Sequence, residues 1–254
     1  MIEQFIIYIP AYNAALTLPR VLTRIPAHIK DKVAEILIVD NASTDGTNLV
    51  ALQCKEKDGI FNLSVIRNPE NKGYGGSQKI AYQYCIDKGY KGVAMLHGDA
   101  QYAPELLWDL FDPIIKGEAD MVFGSRMKGD PRAGGMPLIR FLGNRVLTTI
   151  QNIFLGINLS EYHSGYRVYS VDALKRIPFL RLSSDYHFDT EIIILLIWKK
   201  LRIAEVTIPT HYGDEKNYVN IWKYGLDVLV TTLTYFLFTN RFYKKSKWKQ
   251  ILEG

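Results

Sequence analysis

The chain predicts an α/β fold: a mostly parallel central sheet flanked by helices. Three observations point there. Short apolar, β-branched runs recur through the first half, and stretches with helical spacing separate them. Polar and glycine-bearing clusters follow the runs, where one sheet edge would collect them.

The elements follow in order. Phe5 to Ile9 is the first run, and Ala14 to Ile25 after it has helical spacing. Glu35 to Val39 leads to a helix over Asp45 to Lys55, and Leu63 to Ile66 to one over Tyr74 to Asp87 that Gly89 ends. Gly92 to Leu96 precedes a helix over Pro104 to Ile115. Pro104 suits a first helical position, and Gly117 suits an end. Asp120 to Phe123 is the fifth run. Beyond Gly124 the alternation stops. A Gly/Pro-rich loop, Lys128 to Pro137, gives way to an apolar helix, Leu138 to Phe154. A polar turn, Leu159 to Arg167, leads to a short strand at Val168-Tyr169. A helix over Asp185 to Lys200, a strand over Ile203 to Ile208 and a helix over Val219 to Phe238 complete the pattern. The expected organisation is one domain over 1–240, its halves meeting near residue 125, with a basic tail over 241–254.

Composition sets outer limits. With 254 residues, 48% apolar and 22% charged, the chain is ordinary for a globular protein with a sizeable core. The net charge is +5, and Arg241, Lys244, Lys245, Lys247 and Lys249 in the tail equal that excess. Such a tail suits anionic lipid, nucleic acid or water. Nothing resembles a groove-reading element, so nucleic acid is not expected as a partner. Cys54 and Cys85 lack metal or redox spacing and read as buried thiols in a reducing compartment. Met1-Ile2-Glu3-Gln4 runs into the first strand without a basic leader region, so the expected location is cytoplasmic.

The chemistry gathers at the strand ends, where open α/β sheets bind ligands. These ends carry Pro10-Ala11-Tyr12-Asn13, Asp40 to Thr47, Asn71 to Gly76, His97 to Gln101, and Gly124-Ser125-Arg126. Asp45 reads mainly as a helix cap. Asp40, just before it, can accept from a base N–H or a ribose hydroxyl. The glycines from Gly73 to Gly76 read either as a flexible turn or as close backbone approach to a ligand. They do not form the glycine-rich turn after strand one that marks dinucleotide binding. Asp99 and Gln101 offer oxygen ligands suited to a hard divalent cation.

Taken together, these segments resemble the family 2 inverting glycosyltransferases of the GT-A fold. The likeness is closest to the branch that includes dolichol- and polyprenyl-phosphate sugar synthases, and it spans residues 4 to 225. It rests on motifs in order: Ile9 to Asn13, Val39 to Thr47, Asn71-Lys72-Gly73, Gly98 to Tyr102 with Pro104-Glu105, Gly124-Ser125-Arg126, and Ser164-Gly165-Tyr166-Arg167. The resemblance implies a UDP- or GDP-sugar donor held by Pro10, Ala11, Tyr12, Asn13, Asp40, Asn41, Lys72, Gly73, Gly98 and Asp99. It implies Mg2+ or Mn2+ on Asp99, with Gln101 assisting, and Arg126 and Arg167 facing phosphates. Asp189, Glu191 and Glu161 are the competing acids for a base or positioning role. The implied acceptor is a polyprenyl phosphate. A hydroxyl of a growing cell-surface glycan is the alternative, and a non-catalytic nucleotide-sugar-binding protein is a reading from another class.

Three departures from the family pattern stand out. His97 occupies the place of the usual first carboxylate of the metal motif, where it is a third metal ligand, a phosphate partner or packing. Ala14 replaces an acid after the donor loop. The late basic motif is reduced to Thr210 to Lys216, in which only Gly213 and Lys216 match.

Leu226 to Phe238 is apolar but shorter than the ~20 residues that span a bilayer. With the basic, aromatic tail after it and Leu138 to Phe154 as a second apolar helix, the sequence suits peripheral contact with the cytosolic membrane face. The competing reading is packing on the domain or a homo-oligomer interface.

Overall fold

The structure is a computed structural model, described over residues 2–210, 219–240 and 247–253. The first half runs β1 (Phe5–Ala11), α1 (Leu18–Arg24), α2 (Ala27–Lys30), β2 (Glu35–Asp40), α3 (Thr47–Lys57), β3 (Leu63–Arg67), α4 (Tyr74–Asp87), β4 (Gly92–Met95), α5 (Leu107–Ile115) and β5 (Met121–Ser125). The second runs α6 (Leu138–Leu155), β6 (Arg167–Ser170), α7 (Val171–Lys175), α8 (Phe188–Trp198), β7 (Ile203–Thr207), α9 (Ile221–Thr239) and α10 (Lys247–Glu253). The helix expected from Ala14 begins at Leu18. The amides of Ala14 and Ala15 are instead bonded to Thr47 Oγ1 and Asp45 Oδ2, and Pro19, with no N–H to satisfy, suits the first helical turn.

The seven strands form one sheet in the order β3-β2-β1-β4-β6-β5-β7. All pairings are parallel except those of β6, which is antiparallel to both β4 and β5. The strands read as unbroken apolar runs because both faces are covered. Ile7, Ile9, Ile36 and Ile38 pack on one side with Leu18, Leu107 and Phe111. Ile6, Tyr8, Leu37 and Val39 pack on the other with Tyr82, Phe188 and Ile192. β6 comes from beyond the expected boundary near residue 125, yet lies between two strands that precede it. The halves therefore share one sheet.

Two helices have inverted polarity. α6 buries Asn144, Thr148 and Gln151 and exposes Leu138, Ile139, Leu142, Val146 and Ile153. α9 buries Thr231 and Thr232 and exposes Ile221, Trp222, Leu226, Val230, Leu233 and Leu237. They meet at an edge-on Phe154–Phe236 contact with centroids 5.0 Å apart.

The tail differs from expectation where it is described. Trp248 is fully buried against Tyr235 and bonds Thr234 Oγ1, while Lys247 Nζ lies 2.5 Å from the buried Glu191. An indole needs apolar cover and a partner for its N–H, and the groove beside α9 supplies both. Arg241, Phe242, Tyr243, Lys244 and Lys245 lie outside the described residues, as do Gly213 and Lys216.

Candidate active site

A cavity of about 650 Å³ opens at the carboxyl ends of β1 and β4 and extends to α6 and α9. Pro10, Ala11, Tyr12, Asn13, Asn41, Gly73, His97, Gly98, Asp99, Gln101, Arg126 and Asp189 line it. The strand-end loops turn sharply: Asn13, Ala42 and Ala100 have φ of 51°, 62° and 64°, rarely adopted outside glycine and held here by surrounding bonds. Asn13 accepts from Thr44 N, and its own N–H reaches Ser43 Oγ. Asp45 accepts from Thr47 N and Ala15 N, so it joins two loops as well as the start of a helix. Burial raises its pKa, but those bonds outweigh burial and leave it lowered. Asn41 bonds Asn71, Asn68 and Lys72 N, fixing the third loop.

The glycine cluster has a definite cause. Gly73 is at φ 78°, and Gly75 N donates to Ser184 O at 2.8 Å. A Cβ on Gly75 would sit 2.7 Å from Ser183 O and from Phe188 Cβ. The glycines admit the protein's own 183–188 segment, which then carries Asp185, Tyr186 and Asp189 to the cavity.

Asp99 is 38% exposed in its side chain. Its Oδ1 accepts from Gln101 N at 3.1 Å, and its Oδ2 lies 3.9 Å from His97 Nδ1. Burial pushes the His97 pKa down, more than Asp99 and Asp189 push it up. Its Nε2 contacts the Tyr74 hydroxyl at 3.3 Å, and that hydroxyl donates to Asp189 Oδ2 at 3.0 Å. Burial and the Asp189 charge push Tyr74 well above the usual phenol range. Asp189 also accepts from Gln78 Nε2 and lies 3.5 Å from Arg167. Among the described residues no three His, Cys, Asp or Glu side chains form a metal cluster. The protein groups at hand are Asp99, His97 and Gln101, which fit a hard cation that takes its other ligands from substrate and water.

Several expected residues lie elsewhere. Arg167 was expected to face phosphate. It is fully buried, donating to Ser164 O and Tyr162 O in the turn before β6 and to Asp189 O at the start of α8, so its guanidinium satisfies carbonyls of both. Glu161 is fully buried behind the wall, where it accepts from Arg126 N, Arg126 Nη2 and Asn144 Nδ2. Burial raises its pKa, but the Arg126 charge and these bonds leave it lowered, so it holds Arg126 rather than taking a proton. Glu191 is 1% exposed and accepts from Ser183 N and Lys247, so it is no base in the cavity. Lys72 points to Glu70 at 2.6 Å, away from the lining. Asp40 is buried below the wall, its Oδ1 on Ser43 N and its Oδ2 without a hydrogen-bond partner.

Tyr74 and Tyr102, which fall in the sequence motifs but carry no assigned role, also line the cavity, as do Asn144, His163 and Tyr224. His163 Nδ1 bonds Tyr224 OH at 2.8 Å. His163 lies inside the polar turn from Leu159 to Arg167, whereas Tyr224 carries no local signal.

A wound α/β sheet whose strand ends open onto one cavity, with Asp99 exposed in the loop after β4, is the architecture of the GT-A fold. The chain belongs to glycosyl transferase family 2, whose model matches residues 6–178. It is 29% identical over 216 residues to the UDP-N-acetylglucosamine–dolichyl-phosphate N-acetylglucosaminyltransferase of Methanococcus voltae, covering 81% of this chain and 85% of that one. It is 28% identical over 232 residues to the undecaprenyl-phosphate mannosyltransferase of Micrococcus luteus, covering 86% and 92%. Glucosyl-3-phosphoglycerate synthase from Mycobacterium tuberculosis, solved with Mn2+, UDP-glucose and phosphoglyceric acid, superposes with a TM-score of 0.70 at 19% identity, over 91% of this chain and 79% of that one. That likeness shows the fold alone.

Proposed function

We propose that this glycosyltransferase moves a sugar, with inversion, from a UDP- or GDP-sugar to a polyprenyl phosphate at a membrane surface. One observation carries the reading: the cavity has two unlike walls. Strand-end loops supply a polar wall with Asp99, and α6 and α9 supply a mixed one, in which Ile139, Leu147 and Ile221 stand beside Arg140, Asn144 and Tyr224. The exposed apolar faces of those helices run on outside the cavity, a surface suited to lipid. No helix among the described residues is long and apolar enough to cross a membrane, and the reading takes the contact as peripheral. Both relatives named above bear names of polyprenyl-phosphate acceptors.

In this reading residues before 125 hold the donor and those after it the acceptor. Asp99, with Gln101 and His97 beside it, would hold Mg2+ or Mn2+, which when bound supplies positive charge against the departing nucleoside diphosphate. Arg126, held by Glu161, adds a fixed cation at the cavity wall. An acceptor phosphate is already an anion and needs little base, so Asp189 would take no proton and instead holds the Tyr74 hydroxyl at the cavity wall. The test supplies labelled UDP- and GDP-sugars, polyprenyl phosphate in detergent, and Mn2+. Label should enter the lipid in wild type, and Asp99→Asn should lower the rate by on the order of 100-fold. Transfer undiminished in Asp99→Asn, or label entering only a soluble glycan, would refute it.

A further inference from the structure

We infer that His97 binds the divalent cation through Nδ1, sharing it with Asp99 Oδ2, an assignment that rests on the metal-dependent reading above. The argument counts one proton. Asp189 receives Gln78 Nε2 and has Arg167 beside it, so its oxygens act as acceptors. Tyr74 therefore spends its only hydroxyl proton on Asp189 Oδ2. Facing His97 Nε2 at 3.3 Å, the same oxygen can only accept. The hydrogen-bond geometry thus puts a hydrogen on His97 Nε2, the tautomer in which Nδ1 holds the ring's lone pair.

That lone pair stands 3.9 Å from the Asp99 carboxylate. The gap exceeds a hydrogen bond, yet is less than twice the ~2.1 Å of a magnesium–oxygen bond. Two electron-rich atoms at that spacing repel each other unless a cation lies between them. The ring is also held in place. Tyr74 and Tyr102 abut it edge-on, with centroids at 5.8 and 5.2 Å. Gly165 closes the remaining side, where any Cβ would collide with Nε2. An imidazole in place of a carboxylate favours Mn2+ over Mg2+.

Two measurements on the full chain test this. In the metal-free protein, 15N–1H NMR of labelled histidines should find His97 protonated at Nε2. With Mn2+ and UDP or GDP, electron spin-echo spectra should show a nitrogen coupling that switches from 14N to 15N when only histidine is labelled. That coupling should vanish in His97→Asp, together with roughly tenfold weaker Mn2+ relative to Mg2+ binding. A proton on Nδ1, or bound Mn2+ without histidine coupling in wild type, overturns the assignment. Either result needs no variant to fold, and either leaves transfer to polyprenyl phosphate, scored separately, intact.

Discussion

His163→Gln should flatten part of the protein's acid sensitivity. Burial holds the His163 imidazole down to about 4; Glu161 opposes this, while Arg126 and Arg167 reinforce it. In an unfolded chain the group titrates near 6.5. As pH falls, the unfolded state takes the proton first. The stabilising contribution is complete above pH 6.5, declines below it, and is exhausted once pH passes about 4. At ~1.36 kcal/mol per unit the whole swing is about 3 kcal/mol. Between pH 7 and 5.5 it is about 1 kcal/mol, or ~2–4 °C of melting temperature for a chain of this size. Thermal melts of wild type and His163→Gln at both pH values read it directly. Wild type should lose ~2–4 °C more than the variant. His97 titrates in both proteins and cancels. Equal losses would show that His163 is not held neutral by its surroundings.

Trp248→Ala should cost about 3–5 kcal/mol in urea unfolding, because a fully buried indole leaves a cavity; a loss below 1 kcal/mol would mean that α10 does not dock in solution. Gly75→Ala should destabilise by about 1–3 kcal/mol, since its Cβ meets Ser183 O and Phe188 at 2.7 Å, and a neutral result would contradict that close approach. Leu142→Glu with Trp222→Glu should abolish co-sedimentation with anionic vesicles while changing stability by no more than about 0.5 kcal/mol per site, both residues being exposed. Unchanged sedimentation would remove the membrane role from α6 and α9.

Local signals carried the first half of the fold. The strands fell within a residue or two of expectation because most are apolar runs buried on both faces, ended by polar residues; only the edge strands β3 and β7 are half-exposed. α4 began at Tyr74, where the glycines allow the chain to turn. Partners distant in sequence were not legible. Arg167, Glu161 and Glu191 look like site residues because they are charged, and only the folded chain reveals which of them face inward to one another or to free carbonyls. Lys247 and Glu191 are 56 positions apart, as are few of the contacts a sequence window can suggest. The antiparallel course of β6 was equally hidden, since a short apolar run has no direction written in it.

That course of β6 bears on how such enzymes can be rebuilt. Met95, just before His97, pairs with Arg167, just after the Glu161–Tyr166 segment. The chain that fixes Arg126 therefore arrives where the Asp99 loop departs. Replacing everything after residue 125 would leave β4 and β5 without the strand that joins them. A workable chimera must bring its own β6 matched to the host's β4, so the second half of the chain and the integrity of the sheet are exchanged as one unit.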